Sequence, residues 1–202
     1  MKQYPSIDKN IRKDIYIYAF NKYDGSLIRS EWNPKRGFYK FGTRTELIDI
    51  NSKPFGAAIP LLKDKFEKDL STVFEKQAWK SVICFFEYWG KDSFAGTHNF
   101  EQPMNLTLLD VNPYKEGFLE PNKFIKYFGH LDIAELLYEG FISTEFVDQV
   151  KQSTLPNMSQ EGLVCKGMDK GIHTMFKIKS QVWLDRLKKY CNNNEALFAK
   201  LS

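Results

Sequence analysis

The feature that most limits how this chain can fold is a lysine that follows a strand-like segment and precedes a turn signal. Residues 15–20 alternate aliphatic and aromatic side chains, and this period of two predicts a strand covered on both faces. Lys22-Tyr23-Asp24-Gly25 follows, its Asp-Gly pair favours a tight turn, and residues 26–32 read as a returning strand. We therefore predict Lys22 at the mouth of a β-hairpin.

The rest of the chain mixes helical and strand patterns without regular alternation. Helical spacing of apolar residues predicts helices over 61–79, 123–128, 133–138 and 143–152, and one more after the capping residue Ser180. Strands are predicted at 37–41, 81–87, 105–111, 162–166 and 173–179. This order indicates an α+β fold with largely antiparallel sheets flanked by helices. With 202 residues and 43% hydrophobic content, we expect a single domain over 1–202.

Composition excludes several classes of protein. No apolar run approaches the roughly 18 to 20 residues that span a bilayer, and the polar start lacks the apolar core of a signal peptide. We therefore expect a soluble, cytoplasmic protein without a membrane partner. Cys84, Cys165 and Cys191 are too widely spaced for a zinc site or a disulfide scaffold. We interpret Cys84 and Cys165, which lie in apolar strand-like runs, as buried small hydrophobic residues. The net charge of +4 is too mild to imply a nucleic-acid partner by itself.

Four short motifs carry residues suited to chemistry: Lys22-Tyr23-Asp24-Gly25 with Arg29, Phe85-Phe86-Glu87-Tyr88-Trp89-Gly90, Glu161-Gly162-Leu163-Val164-Cys165-Lys166-Gly167, and Met175-Phe176-Lys177-Ile178-Lys179. Each motif alone is weak evidence, because an exposed turn with a solvated lysine explains the first equally well. Their charged members lie within or beside apolar strands, where charge is costly unless it is paired or bound to a ligand. A structural ion pair is an alternative for any one of them, but the four together favour function.

In this order the motifs resemble those of the covalent nucleotidyltransferase superfamily, which comprises ATP-dependent DNA ligases, RNA ligases and mRNA capping enzymes. The resemblance covers about residues 14–190. The segment Glu87-Tyr88-Trp89-Gly90-Lys91-Asp92-Ser93-Phe94-Ala95-Gly96-Thr97-His98, with Leu108-Leu109-Asp110-Val111 after it, is most similar to the RNA ligase branch. It implies a ligase-type adenylation domain, with ATP as cofactor and Mg²⁺, or Mn²⁺ in its place, as the metal.

The resemblance implies a catalytic role for three lysines and a metal ligand. Lys22 would attack the α-phosphorus of ATP and form a lysyl-AMP intermediate. Its amine must be neutral for this, a form that desolvation and nearby cations favour. Lys177 and Lys179, two residues apart on one strand, would bind the nucleotide and stabilise charge on the phosphoryl oxygens. Glu161 would bind the divalent metal through oxygen.

It also implies nucleotide contacts from four further residues. Glu87 is similar to the family's ribose-binding glutamate, and Arg29 and Arg44 lie where the family places basic residues near ribose and phosphates. Phe118 is our candidate for stacking on adenine, with Phe86 and Trp89 as rivals that also suit a plain core role. His98, His130 and His173 form no ligand-like pattern, so we interpret them as structural.

The implied activity is an ATP-dependent RNA ligase that transfers AMP to a 5′-phosphate and joins it to a 3′-hydroxyl. A minimal DNA ligase and a non-catalytic protein that binds nucleic-acid ends are the alternatives. The chain departs from the family where Phe20 and Asn21 replace an adenine-contacting glutamate. We also expect no OB-fold after Lys179, which disfavours capping, favours RNA over DNA and leaves room for a separate substrate-binding partner.

Overall fold

A computed structural model describes residues 1–192 and 194–202, and it confirms the α+β class. By their contacts the residues group into two compact units, Met1–Pro5 with Gly25–Ile133 and Ser6–Asp24 with Ala134–Ser202. Each unit has one sheet, and every strand pair in both sheets is antiparallel. Within the described residues no helix is both long and apolar enough to cross a membrane.

The first unit has a five-stranded sheet in the order β4-β3-β2-β5-β6. Its strands are β2 (Ser26–Asn33), β3 (Gly37–Gly42), β4 (Leu47–Ile48), β5 (Val82–Gly90) and β6 (Met104–Pro113). One face of the sheet packs on a helical segment formed by a 3₁₀ turn (Phe55–Ala57), α1 (Ala58–Leu62), a π-helical turn (Lys63–Glu67) and α2 (Lys68–Lys76). The helix α3 (Pro121–Phe128) completes this core through Phe124 and Phe128.

The second unit has a four-stranded sheet in the order β7-β1-β8-β9. Its strands are β1 (Tyr16–Asn21), β7 (Leu136–Phe141), β8 (Gly162–Asp169) and β9 (Ile172–Lys179), and its helices are α4 (Thr144–Lys151), α5 (Gln181–Tyr190) and α6 (Glu195–Leu201). The alternation in β1 places Ile17 and Ala19 in a core with the apolar side of α4. Ser180 caps α5 as predicted, because its hydroxyl accepts a hydrogen bond from the backbone N–H of Trp183 at 3.1 Å.

Two local predictions are wrong. β1 and β2 do not form a hairpin: β1 pairs with β7 and β8, whereas β2 pairs with β3 and β5. Gly25 is needed for another reason, since a Cβ there would lie 2.6 Å from the carbonyl oxygen of Tyr88. Residues 133–138 are not a helix, because residues from Leu136 onward pair with β1 and the sheet overrides their helical spacing.

The other helical predictions hold with shifted ends. The helix predicted over 61–79 begins earlier, at Ala58, and contains a π-helical turn. Cys84 and Cys165 are buried, as their interpretation as small hydrophobic residues predicts, and Cys191 is buried as well. His98 fits its structural interpretation, since hydrogen bonds join its two ring nitrogens to the hydroxyls of Ser26 and Ser93 at 2.8 and 2.7 Å.

Candidate active site

Lys22 is fixed by its backbone at the end of β1. Its N–H donates to the carbonyl of Gly162 at 2.9 Å, and its own carbonyl accepts from the Ser159 hydroxyl at 2.6 Å. The preceding residue, Asn21, is 4% exposed and accepts through its side chain from the N–H of Ser159 at 2.7 Å. Ser159 and Gly162, which lie on either side of Glu161 in the sequence, therefore hold the end of β1 next to Lys22.

Glu161 joins the two lysines that matter most to the proposed chemistry. Its Oε1 lies 2.9 Å from Nζ of Lys22 and 3.1 Å from Nζ of Lys179. The exposed fraction is 5% for Glu161, 8% for the Lys179 side chain and 20% for that of Lys22. Such charge-assisted contacts are strong where water is excluded. The structure thus brings Lys22, Glu161 and Lys179 together.

Gly162 keeps Glu161 close to β9. Its φ of +126° lies in a region that side chains rarely adopt, and a Cβ there would lie 2.2 Å from the carbonyl oxygen of Ile178. The backbones of β8 and β9 can therefore approach only because residue 162 has no side chain. This close approach places the carboxylate of Glu161 beside Lys179, with which Gly162 pairs in register.

Lys179 has the most perturbed environment among the candidate residues. Burial lowers its pKa to about 8, the ammonium groups of Lys22 and Lys177 lower it as well, and the Glu161 carboxylate partly offsets these effects by raising it. Its ammonium lies 3.6 Å from the ring centroid of Trp183, a cation–π contact. Lys179 therefore carries a charge that can change near neutral pH.

Trp183 also links Lys179 to the motif that contains Lys22. Its indole N–H donates to Oδ2 of Asp24 at 2.7 Å. Asp24 therefore contributes a side-chain contact, and not the hairpin turn that its motif suggested. The sequence interpretation missed Trp183, because an apolar residue in an amphipathic helix has no signal of a polar contact.

Lys177 lies on the same face of β9 as Lys179 and contacts a different acceptor. Its Nζ donates to the carbonyl of Ser202 at 2.8 Å, whereas Nζ of Lys179 also donates to the carbonyl of Leu201 at 3.1 Å. These carbonyls belong to the C-terminal end of α6. Lys166, on β8, is 3% exposed and lies 5.0 Å from the ring centroid of Phe20. The motifs contained Lys166, but nothing in its pattern predicted that contact.

The first unit contains the other four predicted residues. Arg29 is 4% exposed, and its guanidinium donates to the carbonyl of Thr43 at 2.7 Å and to those of Met1 and Lys2 at 3.0 Å. Burial lowers its pKa, although these carbonyls satisfy its donors. Arg44 is exposed.

Tyr4 contacts one of these four residues and is influenced electrostatically by two others. Its hydroxyl donates to Asp110, and its ring contacts Phe118 with centroids 5.8 Å apart. Burial is the main cause that raises the pKa of Tyr4 well above its usual value; Asp110 and the charge of Glu87 raise it further, and Arg44 lowers it. Phe118 therefore contacts a buried tyrosine that sequence reasoning did not single out, and Glu87 and Arg44 influence the pKa of that tyrosine.

The aromatic candidates for stacking differ in their surroundings. The ring of Phe118 lies between Phe85, with centroids 5.4 Å apart, and the ammonium of Lys2, 5.0 Å from its centroid. Phe86 is fully buried in the core of the first unit. The indole N–H of Trp89 donates to Thr107 at 3.0 Å. Of the three, Phe86 therefore has a core role, and stacking by Phe118 stays a prediction.

The chemistry of Glu161 fits a divalent metal. Its Oε2 is buried and has no hydrogen-bond partner among the described residues, so one carboxylate oxygen is left to bind a cation. No group of three or more His, Cys, Asp or Glu side chains in residues 1–192 and 194–202 could form an all-protein cage. A single carboxylate suits Mg²⁺ or Mn²⁺, since Mg²⁺ usually keeps waters and takes phosphate oxygens for its remaining ligands.

Similar folds occur among solved RNA ligase structures. An archaeal ATP-dependent RNA ligase matches with a TM-score of 0.65 and 14% identity, covering 95% of this chain and 52% of the other. A Naegleria gruberi RNA ligase structure with pyrophosphate matches with a TM-score of 0.62 and 16% identity, covering 88% and 53%. A mutant of that Naegleria ligase with ATP and Mn matches with a TM-score of 0.61 and 14% identity, covering 91% and 59%.

These matches concern the fold. The chain spans a little over half of the ligases that it matches. No protein-family model matches it, and neither does any curated protein. The similarity confirms the predicted fold: the chain has the nucleotidyltransferase-type fold of RNA ligases.

Proposed function

We propose that this chain is an ATP-dependent RNA ligase in which residues 1–202 form one nucleotidyltransferase domain. The observation that carries the proposal is the convergence of Lys22 and Lys179 on the buried carboxylate of Glu161, in the fold of an RNA ligase. A nucleophile, a cation and a metal-binding carboxylate are the groups that phosphoryl transfer requires at one point. The resemblance of the ordered motifs to those of the family supports the same assignment.

In the first step the neutral amine of Lys22 attacks the α-phosphorus of ATP. The Lys22 ammonium first releases one proton to solvent. A nitrogen–phosphorus bond then forms, the bond to the bridging oxygen breaks, pyrophosphate leaves with the electron pair, and the nitrogen releases a second proton to solvent. Lys177 and Lys179 hold the phosphate oxygens and stabilise the charge that develops on them. Glu161 would hold Mg²⁺ or Mn²⁺, which neutralises phosphate charge when bound.

The two later steps transfer AMP from Lys22 to a 5′-phosphate and seal the strand. In the last of them a 3′-hydroxyl attacks the activated 5′-phosphate, and AMP leaves. The chain's contribution in both is alignment and charge stabilisation by the same lysines. Contacts of Arg29, Arg44 and Glu87 with ribose and phosphates, and of Phe118 with adenine, are part of this proposal, as is a cytoplasmic role in repair of nucleic acid.

The test is covalent adduct formation with ATP. The purified protein is incubated with labelled ATP and Mg²⁺, and its intact mass is measured before and after acid treatment. We expect an acid-labile AMP adduct that is absent in Lys22→Ala and retained in Lys13→Ala, which removes an exposed lysine of the same unit. A wild-type protein without the adduct, or an equal adduct in Lys22→Ala, contradicts the proposal.

Two alternatives are separated by further measurements. A minimal DNA ligase forms the same adduct but seals a DNA nick in preference to an RNA nick of the same sequence. A non-catalytic protein that binds nucleic-acid ends binds a 5′-phosphorylated strand without forming the adduct. The proposed RNA ligase forms the adduct and prefers the RNA nick.

A further inference from the structure

One exposed cluster of aromatic rings, Tyr16, Tyr18 and Phe141, lies on the sheet of the second unit; we call it the aromatic patch. Tyr16 is 43% exposed and Phe141 63% exposed. The ring centroid of Tyr16 lies 5.8 Å from that of Tyr18 and 5.4 Å from that of Phe141, and its hydroxyl donates to Glu139 at 3.1 Å. Contiguous exposed aromatic surface of this kind marks an interaction site.

The aromatic patch shares one face of the sheet with the site lysines. Successive side chains of a strand point to opposite faces, so Tyr16, Tyr18 and Phe20 lie opposite the β1 residues that pack in the α4 core. Tyr18 pairs with Lys166, whose partner on the next strand is Met175. Residues 175, 177 and 179 alternate along the same face of β9 and are partly exposed, whereas Phe20 and Lys166 are buried. The accessible part of this face therefore runs along β9 to Lys177 and Lys179.

We propose that the aromatic patch stacks on bases of the nucleic-acid substrate; this rests on the proposed ligase function. Lysines suit phosphates, and exposed aromatic rings suit bases of any sequence. Tyr16 is four residues from Phe20, or about 13 Å along the strand, which is about four stacked bases at the spacing of one nucleic-acid strand. Phe20 is in register, through Val164, with Lys177 two strands away, which adds about 10 Å across the sheet. A nucleic-acid strand whose phosphate is bound at Lys177 therefore reaches the aromatic patch within about 16 Å, or about five stacked bases.

The experiment compares Tyr16→Leu/Phe141→Leu, which keeps apolar bulk but removes two rings, with Tyr190→Leu, which removes a 48% exposed ring on α5. The probe is a short 5′-phosphorylated oligoribonucleotide, measured by fluorescence anisotropy at one fixed salt concentration. Loss of a stacked base contact weakens binding roughly 5- to 150-fold. We expect a loss in that range for the double variant, little change for Tyr190→Leu, and unchanged AMP adduct formation in both.

Two outcomes overturn the assignment of the aromatic patch. One is a double variant that binds the oligoribonucleotide as tightly as Tyr190→Leu does. The other is self-association of the wild type that the double variant abolishes without any change in that affinity, which would make a second copy of this chain the occupant. Adduct formation needs no oligoribonucleotide, so its absence in the wild type counts against the ligase function and not against the aromatic patch.

Discussion

Replacing Glu161 by glutamine tests whether its carboxylate holds Lys22 and Lys179 in place. The change keeps the shape of the side chain but removes the charge between two ammonium groups at 2.9 and 3.1 Å. Breaking a buried pair costs about 3–5 kcal/mol, and the glutamine carbonyl retains a hydrogen bond worth about 1 kcal/mol, so we expect a loss of about 2–4 kcal/mol at pH 6.

The loss should shrink as pH rises. In the folded protein the pKa of Lys179 is about 8, below its unfolded value, and Glu161 is one of the groups that raise it. In the folded Glu161→Gln variant the pKa of Lys179 is therefore lower than in the folded wild type. At pH values between these two pKa values, the native variant binds fewer protons than the native wild type. The stability of the variant therefore rises relative to that of the wild type as pH increases between the two pKa values. The difference in unfolding free energy is largest below the lower pKa and smallest above pH 8.

The assay is urea unfolding at pH 6 and pH 9, with Glu120→Gln as the matched control. Glu120 pairs with Lys123 at 3.2 Å on the surface, where both side chains are largely exposed, and such a pair is worth about 0–1 kcal/mol. A loss for Glu161→Gln no greater than that for Glu120→Gln would refute the reasoning. If Glu161→Gln loses the same unfolding free energy at pH 6 and at pH 9, the argument from the pKa of Lys179 is refuted.

Three further predictions concern the same site. Gly162→Ala should cost more than 3 kcal/mol of unfolding free energy because of its backbone clash, whereas Gly171→Ala, with positive φ but open space, should cost about 1–2 kcal/mol in the same urea assay. Trp183→Phe should cost about 1–3 kcal/mol by urea unfolding, since it removes the hydrogen bond to Asp24 and part of the buried ring that Lys179 contacts. Pyrophosphate affinity should fall as pH rises through about 8 in the wild type, where Lys179 loses its proton, and should stay flat in Lys179→Arg, as titration calorimetry can check.

The fold class could be predicted because strand and helix patterns are local. The partners of a strand are not local, and that is why the predicted hairpin failed: β2 follows β1 closely in sequence yet joins a different sheet. The same reason explains residues 133–138, where helical spacing gave way to pairing between Leu136 and Phe20. The helix α6 was missed because its seven residues are too short for a clear pattern.

The site could be predicted in its members and not in its contacts. The order of motifs brought forward Lys22, Glu161, Lys177 and Lys179, which the structure places in one unit. No sequence pattern indicates that one oxygen of Glu161 receives two ammonium groups while the other has no partner among the described residues. These contacts depend on the three-dimensional arrangement of the strand ends, which a sequence pattern does not specify.

Lys177 and Lys179 show why identical residues two positions apart are not equivalent. Both lie on one face of β9, yet only Lys179 pairs opposite Gly162, where the missing side chain lets a carboxylate and an indole ring enclose its ammonium. Enclosure lowers the pKa of Lys179 to about 8, while its contact with Glu161 keeps it beside Lys22. A phosphate anion would replace the lost hydration and favour the charged form. The charge of Lys179 should therefore rise when the anion binds, which couples phosphate binding to proton uptake at the position next to Lys22.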